Sequence, residues 1–187
     1  AMTLVLLVRG CVSAPPLPRI AASRGDRIGG LVEAGDNLTH THIGTTMMNN
    51  FEKEYRYDFH LHQDITRIIE QTVGNAGFVD VDLRAEGFSY KDLVGLVQAK
   101  DGQWRITPGK EALARRLHQQ LGLKALIVLK EDTVLVDLEC AGGPCAERYA
   151  KHSGLYSRSL LVFTQYRAVA AYRWNVYVLD PVADVAL

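Results

Sequence analysis

From Lys124 to Leu129 the chain reads Lys-Ala-Leu-Ile-Val-Leu, an almost unbroken apolar run of strand length. A strand with one wet face alternates polar and apolar residues, so a strand without alternation is covered on both faces. Such a strand belongs in the middle of a sheet with other layers packed on it. That requirement sets the fold class before any other feature is read.

The covering layers are legible upstream. Gln63 to Gly77 carries Ile65, Ile68, Ile69 and Val73 at helical spacing, with Gly77 as the stop. Ser89 is placed to cap a second helix from Tyr90 to about Ala99, burying Leu93, Val94 and Val97. Thr107 and Pro108 read as the N-cap and first residue of a third helix with the stripe Leu113, Leu117 and Leu121, ended by Gly122.

Strand signals fill the rest. Arg27 to Ala34 and Leu38 to Met48 read as strands, and Phe78 to Leu83 alternates so that Asp80 and Asp82 face outward. Asn49 to Asp58 reads as a short helical turn and a loop. Thr133 to Leu138 is expected to form a hairpin with the Lys124–Leu129 strand across Glu131-Asp132. Leu160 to Phe163 and Ala168 to Leu179 add further strands. The expected fold is α/β (or α+β): a mixed sheet of about five to seven strands with about three helices, antiparallel towards the C-terminus. Residues 1–25 read as a signal remnant and proline-rich tether, and 26–187 as a single α/β domain.

Charge excludes some partners. Lys plus Arg equals Asp plus Glu at 21 each, so no net field draws nucleic acid or an anionic surface. No apolar run approaches the roughly 18 residues of a membrane span.

The N-terminus gives an address. Thr3-Leu-Val-Leu-Leu-Val8 is apolar, Gly10 is small, Cys11 follows, and Val-Ser-Ala-Pro-Pro-Leu-Pro comes next. This resembles the lipobox of bacterial envelope lipoproteins, with Arg9 a departure from its usual small residues. The resemblance covers only this junction. It implies lipid on Cys11, a stiff tether, and a place on the periplasmic face of the envelope. The alternative is a cytosolic α/β domain with residues 3–8 as its first strand.

The other two cysteines, Cys140 and Cys145, enclose Ala-Gly-Gly-Pro, a turn that brings sulfurs together. In an oxidising compartment they are expected to bridge, adding on the order of 2 kcal/mol.

Four histidines form two H-x-H pairs, His40/His42 and His60/His62. Residues i and i+2 of a strand share a face, so each pair is half of a zinc or copper site, with Asp36, Asp58 and Asp64 as nearby carboxylates. No third ligand stands at a fixed offset, so metal is the secondary expectation and no cofactor the primary one.

No catalytic motif appears. Ser153-Gly154 lacks the G-x-S-x-G elbow, Gly29-Gly30 lacks the rest of a dinucleotide fingerprint, and Gly44-Thr45-Thr46 lacks the lysine of a P-loop. Arg148, Tyr149, His152 and Tyr156 are instead the side-chain types of a protein-binding edge. The expected function is therefore a non-enzymatic, lipid-anchored accessory domain that binds envelope proteins. It binds no nucleic acid, and its β-edges permit self-association. The alternative is a metal-binding protein or metal-dependent enzyme built on the four histidines.

Overall fold

The computed structural model describes residues 15–19, 21–35, 37–56, 60–139, 146–160 and 163–185. In chain order its strands are β1 (Arg27–Glu33), β2 (Asn37–Ile43), β3 (Phe51–Arg56), β4 (Val79–Asp82), β5 (Val97–Lys100), β6 (Gln103–Ile106), β7 (Leu123–Glu131), β8 (Val134–Glu139), β9 (Ala146–Ala150), β10 (Gly154–Leu160), β11 (Phe163–Val169), β12 (Tyr172–Leu179) and β13 (Val182–Val185). The helices are α1 (Leu61–Asn75), α2 (Tyr90–Leu93) and α3 (Glu111–Arg115), the last prolonged by a π turn over Arg116–Gln120. The mixed α/β class is as expected.

The main sheet has the order β13-β12-β7-β1-β4. β4 and β7 run parallel to β1 on either side, and β12 and β13 continue the sheet antiparallel. The apolar run of β7 lies inside it, covered on both faces. On one face Leu126 and Val128 join Leu31, Leu93, Leu117 and Tyr177, under α2, α3 and the β5–β6 hairpin. On the other, Ile127 and Leu129 join Val32, Ile69 and Val73 of β1 and α1.

Gly29 makes the first core possible. A Cβ there would come within 2.9 Å of Leu83 Cδ1, 3.0 Å of Leu126 Cδ2 and 3.1 Å of Leu123 Cδ1. Three leucines thus occupy the volume that a side chain would need.

The remaining strands do not extend this sheet. A second, four-stranded sheet has the order β11-β10-β2-β3, and β5–β6 and β8–β9 are separate hairpins. Ser153 ties the second sheet to the first. Its N–H donates to Glu131 Oε1 on β7 (2.7 Å), its carbonyl accepts from Thr39 N–H on β2 (3.2 Å), and its hydroxyl accepts from Ala171 N–H (2.9 Å).

Several expectations are corrected. The second helix ends at Leu93, because Gly95 (φ 64°) breaks it, and Val97 starts a hairpin strand. That hairpin turns on Asp101 (φ 53°) and Gly102 (φ 71°), the two-residue turn that Asp-Gly favours. The third helix begins at Glu111, later than expected, because Thr107-Pro108-Gly109-Lys110 forms a turn closed by Lys110 N–H on Thr107 O (2.9 Å). Phe51–Arg56 is a strand. β7 and β8 do not pair with each other: β7 pairs with β1 and β12, and β8 with β9. Ile68 points to solvent rather than to the core.

Leu4–Val8, Cys11, Cys140 and Cys145 lie outside the described residues. No helix among the described residues is long and apolar enough to cross a membrane.

Candidate functional site

The second sheet carries one row of side chains across all four strands. His42 of β2 stands opposite Phe51 of β3 and opposite Ser157 of β10, and Ser157 stands opposite Tyr166 of β11. Residues opposite one another on a ladder share a face, so Phe51, His42, Ser157 and Tyr166 form a single stripe. His40, two residues from His42, lies on the same face.

The centre of the stripe is a hydrogen-bonded cluster. Ser157 Oγ is 2.7 Å from His40 Nε2 and 2.7 Å from His42 Nδ1. Phe51 stacks on the His42 ring (centroids 5.0 Å) and meets His40 edge-on (5.0 Å). A hydroxyl has one proton and two lone pairs. One imidazole nitrogen can therefore accept the Ser157 proton while the other donates its N–H to Oγ. Burial, and then the neighbouring His42, hold the His40 pKa below its ordinary value. Those causes fit neutral His40 as the acceptor and His42 as the donor.

A serine beside an imidazole is the beginning of a nucleophile. Here Ser157 sits mid-strand, only 4% exposed under the rings, so an electrophile has little access to it. The cluster locks β2 to β10 and holds the aromatic stripe in place.

The two faces of this sheet differ. The back face buries Tyr156, which packs with Ala150 and with Val134 and Val136 of the β8–β9 hairpin. On the front face Phe51 is 45% exposed and Tyr166 58%, and Leu155 beside them is exposed as well. None of α1, α2 or α3 packs extensively on this sheet.

Its edges differ too. β3, Phe-Glu-Lys-Glu-Tyr-Arg, carries four charges in six residues. β11, Phe-Thr-Gln-Tyr-Arg-Ala-Val, carries one in seven.

The metal expectation is corrected in one respect. Among the described residues no three His, Cys, Asp or Glu side chains are grouped to hold a metal ion, so the two H-x-H pairs do not make a common site. His40 and His42 do share a face, but they converge on a hydroxyl. His60 precedes α1 in a left-handed conformation, and His62 lies in the first turn of that helix. Asp64 pairs with Arg67 (2.5 Å), while Asp36 and Asp58 lie outside the described residues.

The expected partner-binding group is split. Tyr149 is 71% exposed on β9, and His152 is exposed. Arg148 lies on β9 directly opposite Val136. Tyr156 is corrected: it is buried, with its hydroxyl donating to His152 O (3.1 Å). Sequence reasoning missed Ser157, Phe51 and Tyr166. Phe51 and Tyr55, on one face of a run whose other residues are all charged, are the faint local trace of β3.

A second polar locus lies at the carboxyl ends of β1 and β4, where α1, which leads into β4, lies on one face of the sheet and α2, which follows β4, on the other. In parallel sheets such divergence opens a crevice. Here it is small, about 20 Å³, and is lined by Gly30, His62, Thr66, Asp80, Asp82 and Arg84 among others. Asp80 faces this cleft on the α1 side rather than open solvent. Burial, then Glu70 and Asp82, push its carboxyl above its ordinary range. Asp80 Oδ1 and His62 Nδ1 are both buried without a protein hydrogen-bond partner.

The chain matches no protein-family model, no curated protein and no solved structure.

Proposed function

We propose that this chain is a non-enzymatic binding domain of the bacterial envelope, attached to a membrane by lipid on Cys11 and contacting other envelope proteins through the open face of its second sheet. The observation that carries the binding role is the asymmetry of that sheet. Its back is covered at Tyr156 by the chain's own hairpin, while its front presents Phe51 and Tyr166 half-exposed around the hydrogen-bonded Ser157–His40–His42 centre. Aromatic side chains held rigid on a sheet give large contact area at low entropic cost.

The address rests on the Gly10-Cys11 junction and the proline tether behind it. Expressed from its natural start, the protein takes up labelled palmitate, and Cys11→Ser abolishes the label. Equal labelling of the two ends the anchor reading. For the binding role, a photo-crosslinking residue at position 51 is compared with one at Lys100, which is exposed on the β5–β6 hairpin away from this sheet. Discrete adducts from position 51, absent from position 100 and lost when Tyr166 is changed to Glu, support the role. Equal adducts from both positions overturn it.

A further inference from the structure

Sheet edges are normally guarded by charge, proline or a bulge, because an open row of backbone groups recruits another strand. The second sheet guards one edge with charge and carries little charge on the other. β3 has Glu52, Lys53, Glu54 and Arg56, whereas β11 has Arg167 alone and shows exposed Phe163 and Tyr166. No strand among the described residues lies beyond β11.

We infer that β11 pairs antiparallel with β11 of a second copy, about a two-fold axis through Tyr166. This rests on the binding reading above and names one partner for the same sheet. The argument is one of register. A dyad perpendicular to a sheet sets residue i opposite residue j with i plus j constant and even. Centred on Tyr166, it pairs every residue of the strand: Phe163 with Val169, Thr164 with Ala168, Gln165 with Arg167, and Tyr166 with itself. The single charge then meets an amide. Centred on Arg167, like charges would oppose each other, which disfavours that register. Centred on Gln165, Ala168 and Val169 have no opposites among the described residues of the strand. The full-length register is free of charge conflict, so the edge complements itself.

The consequence concerns the stripe. A dyad normal to the sheet keeps both front faces on the same side. The row Phe51–His42–Ser157–Tyr166 would meet its own image at Tyr166, giving one eight-stranded sheet with an unbroken stripe ending in Phe51 at both sides. A partner with two binding segments would then gain avidity without any new contact.

The test uses the full chain. Sedimentation velocity between about 1 and about 100 µM should show mass rising from 20.7 kDa to twice that value, the range a modest interface spans. Tyr166→Lys sets two ammonium groups against each other and should weaken association at least about tenfold, with an unchanged circular dichroism spectrum. In a background with Cys11, Cys140 and Cys145 replaced by serine, Tyr166→Cys should form a disulfide dimer on mild oxidation. Phe163→Cys should not, since its two copies would lie roughly 20 Å apart at 3.4 Å per residue. A monomer throughout, an undiminished Tyr166→Lys dimer, or equal cross-linking from positions 163 and 166 overturns the pairing. Those results leave the binding reading intact, because that is tested against other proteins from position 51.

Discussion

Ser157 and His42 stand directly opposite each other on the parallel β10–β2 ladder, with Oγ 2.7 Å from Nδ1. The same oxygen meets His40 Nε2, so one hydroxyl serves two rings. Ser157→Ala removes the partner of both. Leaving a buried polar group unpaired costs about 1–3 kcal/mol, and two rings are affected, though both retain some solvent contact. Urea unfolding at pH 7.5 is expected to show a loss in that range. A loss below a few tenths of a kcal/mol would mean that the rings are held by Phe51 alone.

His40 also gives the cluster a pH dependence. Its pKa in the folded state is held below the ordinary 6.5 by burial and then by His42. The folded protein therefore binds this proton less readily than the unfolded chain. The sign follows by linkage: His40's contribution is fully present above pH 6.5 and is lost as pH falls through 6.5 towards the lowered value. His40→Gln removes that slope. Measured by urea unfolding, wild type should lose stability relative to His40→Gln between about pH 7.5 and about pH 5. A parallel pair of curves would remove His40 from the pH response.

Much of the main sheet was legible in the sequence, and the second sheet was not, for a physical reason. β7 announces itself because a strand covered on both faces is apolar throughout, and α1 because Ile65, Ile69 and Val73 recur at helical spacing. β3 and β11 have no such pattern. One face is open and the other only partly covered, so Phe51–Arg56 reads as polar loop although it is an edge strand. Nearness in sequence suggests a hairpin between β7 and β8, but β8 pairs with β9. β7 instead satisfies its ladder with β1 and β12, whose apolar residues complete the two cores. The H-x-H spacing correctly put His40 and His42 on one face. Their shared partner, more than a hundred residues later in Ser157, is set by tertiary pairing and leaves no local mark.

Gly154 fixes how β10 enters that pairing. A Cβ on it would stand 2.0 Å from Thr39 O and 2.8 Å from Thr39 N, both backbone atoms of β2. Neither can turn aside as a side-chain tip can. Gly154→Ala therefore forces the first residues of β10 away from β2, at an overpacking cost of about 1–3 kcal/mol or more. The distinguishing readout lies at the other end of the pair. Histidine NMR signals of His40 and His42 should shift, because the Ser157 register depends on this start. Destabilisation with unmoved histidine signals would show that the strand re-forms beyond the displaced first residues.

Asp80 provides the opposite sign from a carboxyl group. Its folded-state pKa is raised above 3.8 by burial, then by Glu70 and Asp82, with a Val81 backbone hydrogen bond opposing. Gly30 packs beside it, since a Cβ there would be 3.3 Å from Asp80 Oδ1. Because the folded protein binds this proton more readily than the unfolded chain, Asp80 ionises at the expense of stability. The penalty is absent below pH 3.8 and grows as pH rises through the raised value. Asp80→Asn keeps the shape and removes the charge. Its stability relative to wild type should rise as pH increases from about 3 to about 7, read by thermal unfolding in buffers of equal ionic strength. If the variant instead loses ground as pH rises, the ionised carboxylate is held by a favourable contact in the cleft, and His62, whose Nδ1 is buried in the same cleft without a protein partner, is the residue to change next.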